Sequence, residues 1–97
     1  MNVFNIQQIN DLIHGRLRLG VMAYLSTAGS AEFNTLKKQL SASDGNLSVQ
    51  LRKLEDGGLV AIEKSFVSKK PLTKVILTKE GKAAFIDYLD AMKKLLD

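Results

Sequence analysis

The chain contains no cysteine and only one histidine among its 97 residues. Without cysteine there is neither a disulfide framework nor a thiolate zinc site. His14 alone cannot assemble a metal cluster. A long apolar run is also missing. Met1 to Thr27 carries Asp11, His14, Arg16 and Arg18 inside its apolar pattern, and no stretch approaches the about 18 uncharged apolar residues that a membrane span requires. A soluble, cytoplasmic protein is expected. No nucleophile–base pair and no paired acids stand out, and the single Gly-Gly pair ends a helix, so neither an enzyme nor a cofactor site is expected. Internal repeats and low-complexity stretches are absent too.

What is present is an ordinary globular balance, with 45% apolar and 25% charged residues. Residues 1–97 fit one domain. A core of this size is marginal, and pairing with a second copy would help it. The net charge of +4 is unevenly spread. Residues 1–35 are neutral, residues 83–97 carry −1, and residues 36–82 hold ten bases and five acids, a net of +5. A basic centre between neutral ends is the electrostatic footprint of a nucleic-acid surface, or simply of a lysine-rich solvated face.

Hydrophobic spacing divides the chain into elements. Ile6, Ile9 and Ile13 predict a short first helix within 3–13, interrupted by His14 and Gly15. Leu17, Val21, Tyr24 and Leu25 predict a second helix from Arg16 to Ser26, closed by a turn at Thr27-Ala28-Gly29-Ser30. Asn34 is the expected N-cap of a short helix carrying Leu36 and Leu40, with Phe33 stapling from outside. After a tight connection Ser43 caps a helix over 43–56 with Leu47, Leu51 and Leu54 on one face, stopped by Gly57-Gly58. Two short helices joined by such a turn form a helix-turn-helix signature. The period then changes. Val60, Ile62 and Phe66 predict a strand, Ser68 to Leu72 a turn, and Thr73 to Thr78 a second strand with Val75 and Leu77 on one face. Thr78 then caps a long helix over 79–96.

The stretch from Leu40 to Val60, with Ser43-Asp-Gly-Asn-Leu-Ser48 and Leu51-Arg-Lys-Leu-Glu55, resembles the recognition-helix block of the MarR/ArsR-type winged-helix regulators. Ile13 to Leu19 and Leu77 to Gly81 fall where that family places such segments, so the resemblance covers nearly the whole chain. It implies a mainly α fold with a β-hairpin wing, a winged helix-turn-helix. It also implies prokaryotic transcription control by homodimers on near-palindromic double-stranded DNA.

In such a fold the recognition helix lies in the major groove, its N-terminal part against base edges. The leucine stripe must face the core, which turns Asp44, Gly45, Ser48, Val49, Arg52 and Lys53 outward, with Asn46 at the margin. Asn46 is expected on an adenine edge and Val49 on a thymine methyl, with Ser48 and Arg52 on phosphates. Ser43 and Lys53 complete the candidates on this helix. Lys69 and Lys70 at the hairpin tip would reach the minor groove or its flanking phosphates. Asn34 and Thr35 would offer backbone N–H groups to a phosphate, or serve only as a cap. Asp44 opposes the assignment, since it would sit near phosphates. One of Arg16 and Arg18 is expected to pair with an acid, within the domain or across a dimer, and His14 to be a capping or packed residue.

The terminal helix has an apolar stripe wider than one domain needs. Phe85, Tyr88, Leu89, Met92, Leu95 and Leu96, together with Val3, Phe4 and Ile6, are the expected dimer interface. Two alternatives stay open: a winged helix used as a protein-interaction module, and a sensor for an unknown small-molecule effector.

Overall fold

A computed structural model describes residues 4–97. The chain runs through a 3-10 turn (Ile6–Gln8), α1 (Arg16–Ala28), β1 (Ser30–Glu32), α2 (Phe33–Gln39), α3 (Asp44–Asp56), β2 (Val60–Val67), β3 (Lys70–Leu77) and α4 (Lys79–Leu96). The strands form an antiparallel sheet in the order β1-β3-β2. Helix α1 packs against α3, α4 and the sheet, and α3 against β2, around a core that includes Ile13, Val21, Met22, Leu25, Leu36, Leu47, Leu54 and Val75, all fully buried.

Local chemistry sets the boundaries of α3 and α4. The Ser43 hydroxyl accepts the Asn46 N–H at 3.2 Å and so starts α3. At the other end Gly58 takes a left-handed φ of 78°, and Leu59 N–H returns to the Leu54 carbonyl at 3.0 Å. The Thr78 hydroxyl accepts the Gly81 N–H at 2.9 Å and donates to the Gly58 carbonyl at 2.7 Å. One side chain thus starts α4 and ties it to the exit of α3. Gly81 makes that junction possible, because a Cβ there would lie 2.0 Å from the Leu59 carbonyl oxygen.

Three expectations are corrected. The first concerns 3–13, which is not an α-helix over its described residues. Asn5 Oδ1 accepts from Gln7 N–H, and Asn10 Oδ1 accepts from both Leu12 and Ile13 N–H. These side-chain bonds compete with helical ones and leave only a 3-10 turn and a tight bend. Ile9 and Ile13 are nevertheless buried, as their spacing suggested.

The second concerns Asn34. The chain stays extended through β1, where Glu32 pairs with Lys74, and α2 begins at once at Phe33. Asn34 is therefore the second residue of α2 rather than its cap. Glu32 holds the cap position without a side-chain bond.

The third concerns the hairpin turn, which is two residues long rather than five. Ser68 and Lys69 adopt φ of 51° and 66°, the twist that suits the flanking strands. Pro71 is accommodated inside β3 because β1 pairs only with residues 74–76. Beyond that pairing β3 has an open edge, which tolerates a residue without an N–H.

Candidate nucleic-acid interface

The alternation of β2 decides what the wing presents. Val60, Ile62, Lys64 and Phe66 share a face with their partners Leu77, Val75, Thr73 and Pro71. Near the body this face is covered, and Val60 and Val75 are buried. Further out the same face runs clear of the helices, and Phe66 is 77% exposed. Helix α3 stands beside it. Ser48, Leu51, Arg52 and Glu55 of α3, Ile62 and Lys64 of β2, and Phe33 line one groove of about 500 Å³. A hydroxyl, a guanidinium and an ammonium thus converge, with the Glu55 carboxylate, on a channel between α3 and the hairpin. The first three can hold a phosphodiester strand.

The apolar stripe of α3 is buried as expected, and Asp44, Gly45, Asn46, Ser48, Val49, Arg52 and Lys53 are all exposed on the outer side. The helix itself carries three acids against two bases, so the positive charge of the region sits on its neighbours: Lys37 and Lys38 of α2, Lys64 of β2, and Lys69, Lys70 and Lys74 around the wing. Asp44 is less of an obstacle than its position suggests. Lys37 Nζ lies 2.7 Å from its carboxylate, so the first turn of α3 meets solvent as an ion pair. Both partners are solvent-accessible, and the pair adds little to stability. Its effect is local neutralisation.

The other sequence-derived residues divide clearly. Asn34 is exposed at the start of α2 and Thr35 is half-buried behind it. Ser43 is exposed, with its oxygen engaged in capping α3. Lys69 and Lys70 are exposed at the hairpin tip. Arg18 is engaged with neutral groups of its own chain. Its Nε donates to the Leu12 carbonyl at 2.6 Å and its Nη1 donates to Gln50 Oε1. Gln50 Nε2 in turn donates to Asn46 Oδ1 at 3.3 Å. Arg16 is exposed. His14 Nδ1 lies 2.8 Å from the Tyr88 hydroxyl, pinning the bend before α1 to α4.

Residues missed at the sequence level are Lys37, Gln50, Lys64 and Phe66. Lys64 was legible, since it stands two residues beyond the inward Ile62. Gln50 stands four beyond Asn46, on the same helical face. Lys37 required knowledge of how α2 meets α3.

The expected dimer residues also divide. Phe85 and Tyr88 are spent inside the protomer, at 7% and 3% exposure. Met92 and Leu95 are half-buried against the same core. Exposed on α4 are Leu89 and Leu96, joined by Ile86, and Phe4 and Ile6 are exposed beside the N-terminal turn. Val3 lies outside the described residues. Among the described residues no helix is long and apolar enough to cross a membrane.

Residues 17–96 match the family described as the winged helix DNA-binding domain. An uncharacterised protein of Methanocaldococcus jannaschii is 37% identical over 73 residues, covering 75% of this chain and 79% of its own. A transcriptional regulator homologue from Pyrococcus horikoshii OT3 superposes with a TM-score of 0.83 at 31% identity, over 89% of this chain and 85% of its own. A MarR-like transcriptional regulator from Thermotoga maritima superposes with a TM-score of 0.60 at 28% identity, over 80% and 55% of the two chains. With four helices, a three-stranded sheet and a hairpin wing among its described residues, the chain has the fold seen in MarR-like regulators and belongs to the winged helix DNA-binding domain family.

Proposed function

We propose that the protein acts as a homodimer on double-stranded DNA, with α3 in the major groove and the wing over the flanking backbone, and that it represses transcription by occupying a promoter. The observation that carries this reading is the groove between α3 and β2. Ser48, Arg52 and Lys64 line it, and the bare tip lysines Lys69 and Lys70 extend the basic surface beyond it. Asn46 and Val49 stand on the outer face of α3, free of the core and able to meet base edges. Pairing through α4 is supported by Ile86, Leu89 and Leu96, whose exposure leaves apolar area for a second copy to cover.

The test is titration of the protein into its own upstream DNA and into a scrambled duplex, each at two salt concentrations. Tighter binding to the upstream DNA that weakens steeply with salt is expected, because each neutralised phosphate releases counterions. Absence of duplex binding at low salt overturns the reading and leaves the wing and α3 as a surface for a protein partner.

A further inference from the structure

We infer that Arg18 sets the orientation of the Asn46 amide, so that its oxygen is turned toward Gln50 and its NH₂ toward the base beneath α3. The inference rests on α3 lying in the major groove and names which bases it selects there.

A guanidinium can only donate. Arg18 lies behind α3, held by its Nε–H bond to the Leu12 carbonyl, and its Nη1 meets Gln50 Oε1. Gly15 leaves the space for this arrangement, since a Cβ there would lie 2.6 Å from Arg18 Nη2. With its oxygen engaged, Gln50 turns its NH₂ toward Asn46 and donates to Oδ1 at 3.3 Å. One lone pair of the Asn46 oxygen is thereby engaged from within the protein, which holds the oxygen toward Gln50. What its exposed amide turns outward to a ligand is the NH₂ group. Polarity passes in one direction, from a group that cannot accept, through two amides, to the surface.

The consequence reverses the ordinary reading of an asparagine. An amide with both ends available pairs with adenine, donating to N7 and accepting from the N6 amino group. Two donors instead fit guanine, which shows N7 and O6, and they meet thymine at O4. Against the amino groups of adenine and cytosine they set N–H against N–H. Asn46 therefore selects keto bases on the strand it contacts. Arg18 and Gln50 act as positioning residues that need not touch DNA.

The experiment is selection from a randomised duplex pool, followed by competition binding with matched duplexes. Asn46→Ala identifies the position that depends on this side chain, where the wild-type protein is expected to take guanine or thymine. Gln50→Glu then reverses the relay. The new carboxylate accepts from both Arg18 and the Asn46 NH₂, which turns the Asn46 oxygen outward to accept from an amino base. Preference at that position is expected to move from keto to amino by about tenfold in relative affinity, the size of one base-pair discrimination. The added negative charge lowers affinity for both duplexes and does not alter their ratio. Arg18→Met is expected to relax the preference without changing the salt dependence. Because it also frees the Leu12 carbonyl, its thermal melting is compared with that of Gln50→Glu, which leaves the core untouched. An unchanged base preference in Gln50→Glu overturns the inference, as does an Asn46→Ala selection identical to the wild type. In either case salt-sensitive duplex binding still stands. Failure of the wild-type protein to bind any duplex removes the DNA reading and this inference with it.

Discussion

Helices α3 and α4 are built on the same apolar rhythm and differ in what they leave outside. Helix α3 buries Leu47, Leu51 and Leu54 and presents Asn46, Ser48, Arg52 and Lys53 to solvent, with Val49 the one large apolar residue exposed on it. Helix α4 buries Gly81, Phe85 and Tyr88, yet leaves Ile86 at 57%, Leu89 at 50% and Leu96 at 78% exposure. A polar outer face keeps its water until a charged ligand displaces it. An exposed apolar face gains about 25 cal/mol for each Å² covered. The same helical geometry thus prepares two kinds of contact, one suited to a hydrated polyanion and one to a protein surface.

The comparison breaks most severely from the inside. Leu54→Ala empties a fully buried position on α3 and is expected to cost about 2–5 kcal/mol of unfolding free energy, measured by chemical denaturation. A change of that size on an outward residue of the same helix would mean that the two faces are wrongly assigned.

The outer face of α4 is tested next. Ile86→Lys combined with Leu89→Lys is expected to leave the protomer folded while raising the dimer dissociation constant by on the order of a hundredfold or more, since each lost apolar contact is worth about 1.5–3 kcal/mol. Sedimentation across a concentration series measures it. A wild-type protein that is monomeric at micromolar concentration sinks the pairing through α4.

The smallest effect belongs to the outer face of α3. Arg52→Ala is expected to weaken DNA binding severalfold and to lower the slope of log affinity against log salt by about one. Sedimentation and melting should not move. An unchanged slope would remove Arg52 from the phosphate channel and shift that role to Lys64 across the groove.

How far the sequence could be read depends on the range of the interactions involved. The caps Ser43 and Thr78 act within three residues, so both α3 and α4 were visible at their starts. At 6–13 the spacing of isoleucines reported burial correctly and conformation wrongly. Burial depends on which side faces the core, whereas helix formation there loses to Asn5 and Asn10 side chains bonding nearby backbone. Strand β1 is three residues long, too short for alternation to register, and exists because β3 passes beside it. The site shows the same division. The outward set on α3 follows from its leucine stripe. Neutralisation of Asp44 by Lys37, and the placing of Lys64 opposite Arg52, follow from how α2 and β2 pack on α3.

By itself, then, the sequence determined where α3 and α4 begin, which faces are apolar, and that the positive charge is concentrated in the middle of the chain, because those properties are carried by residues within a few positions of one another. Only the tertiary structure decided that the wing runs past its support, that α4 keeps apolar residues in water, and that Arg18 stands behind α3 bonded to Gln50, thirty-two positions away. Those outcomes depend on which surfaces meet, and a pattern along one chain does not specify the partner across the gap.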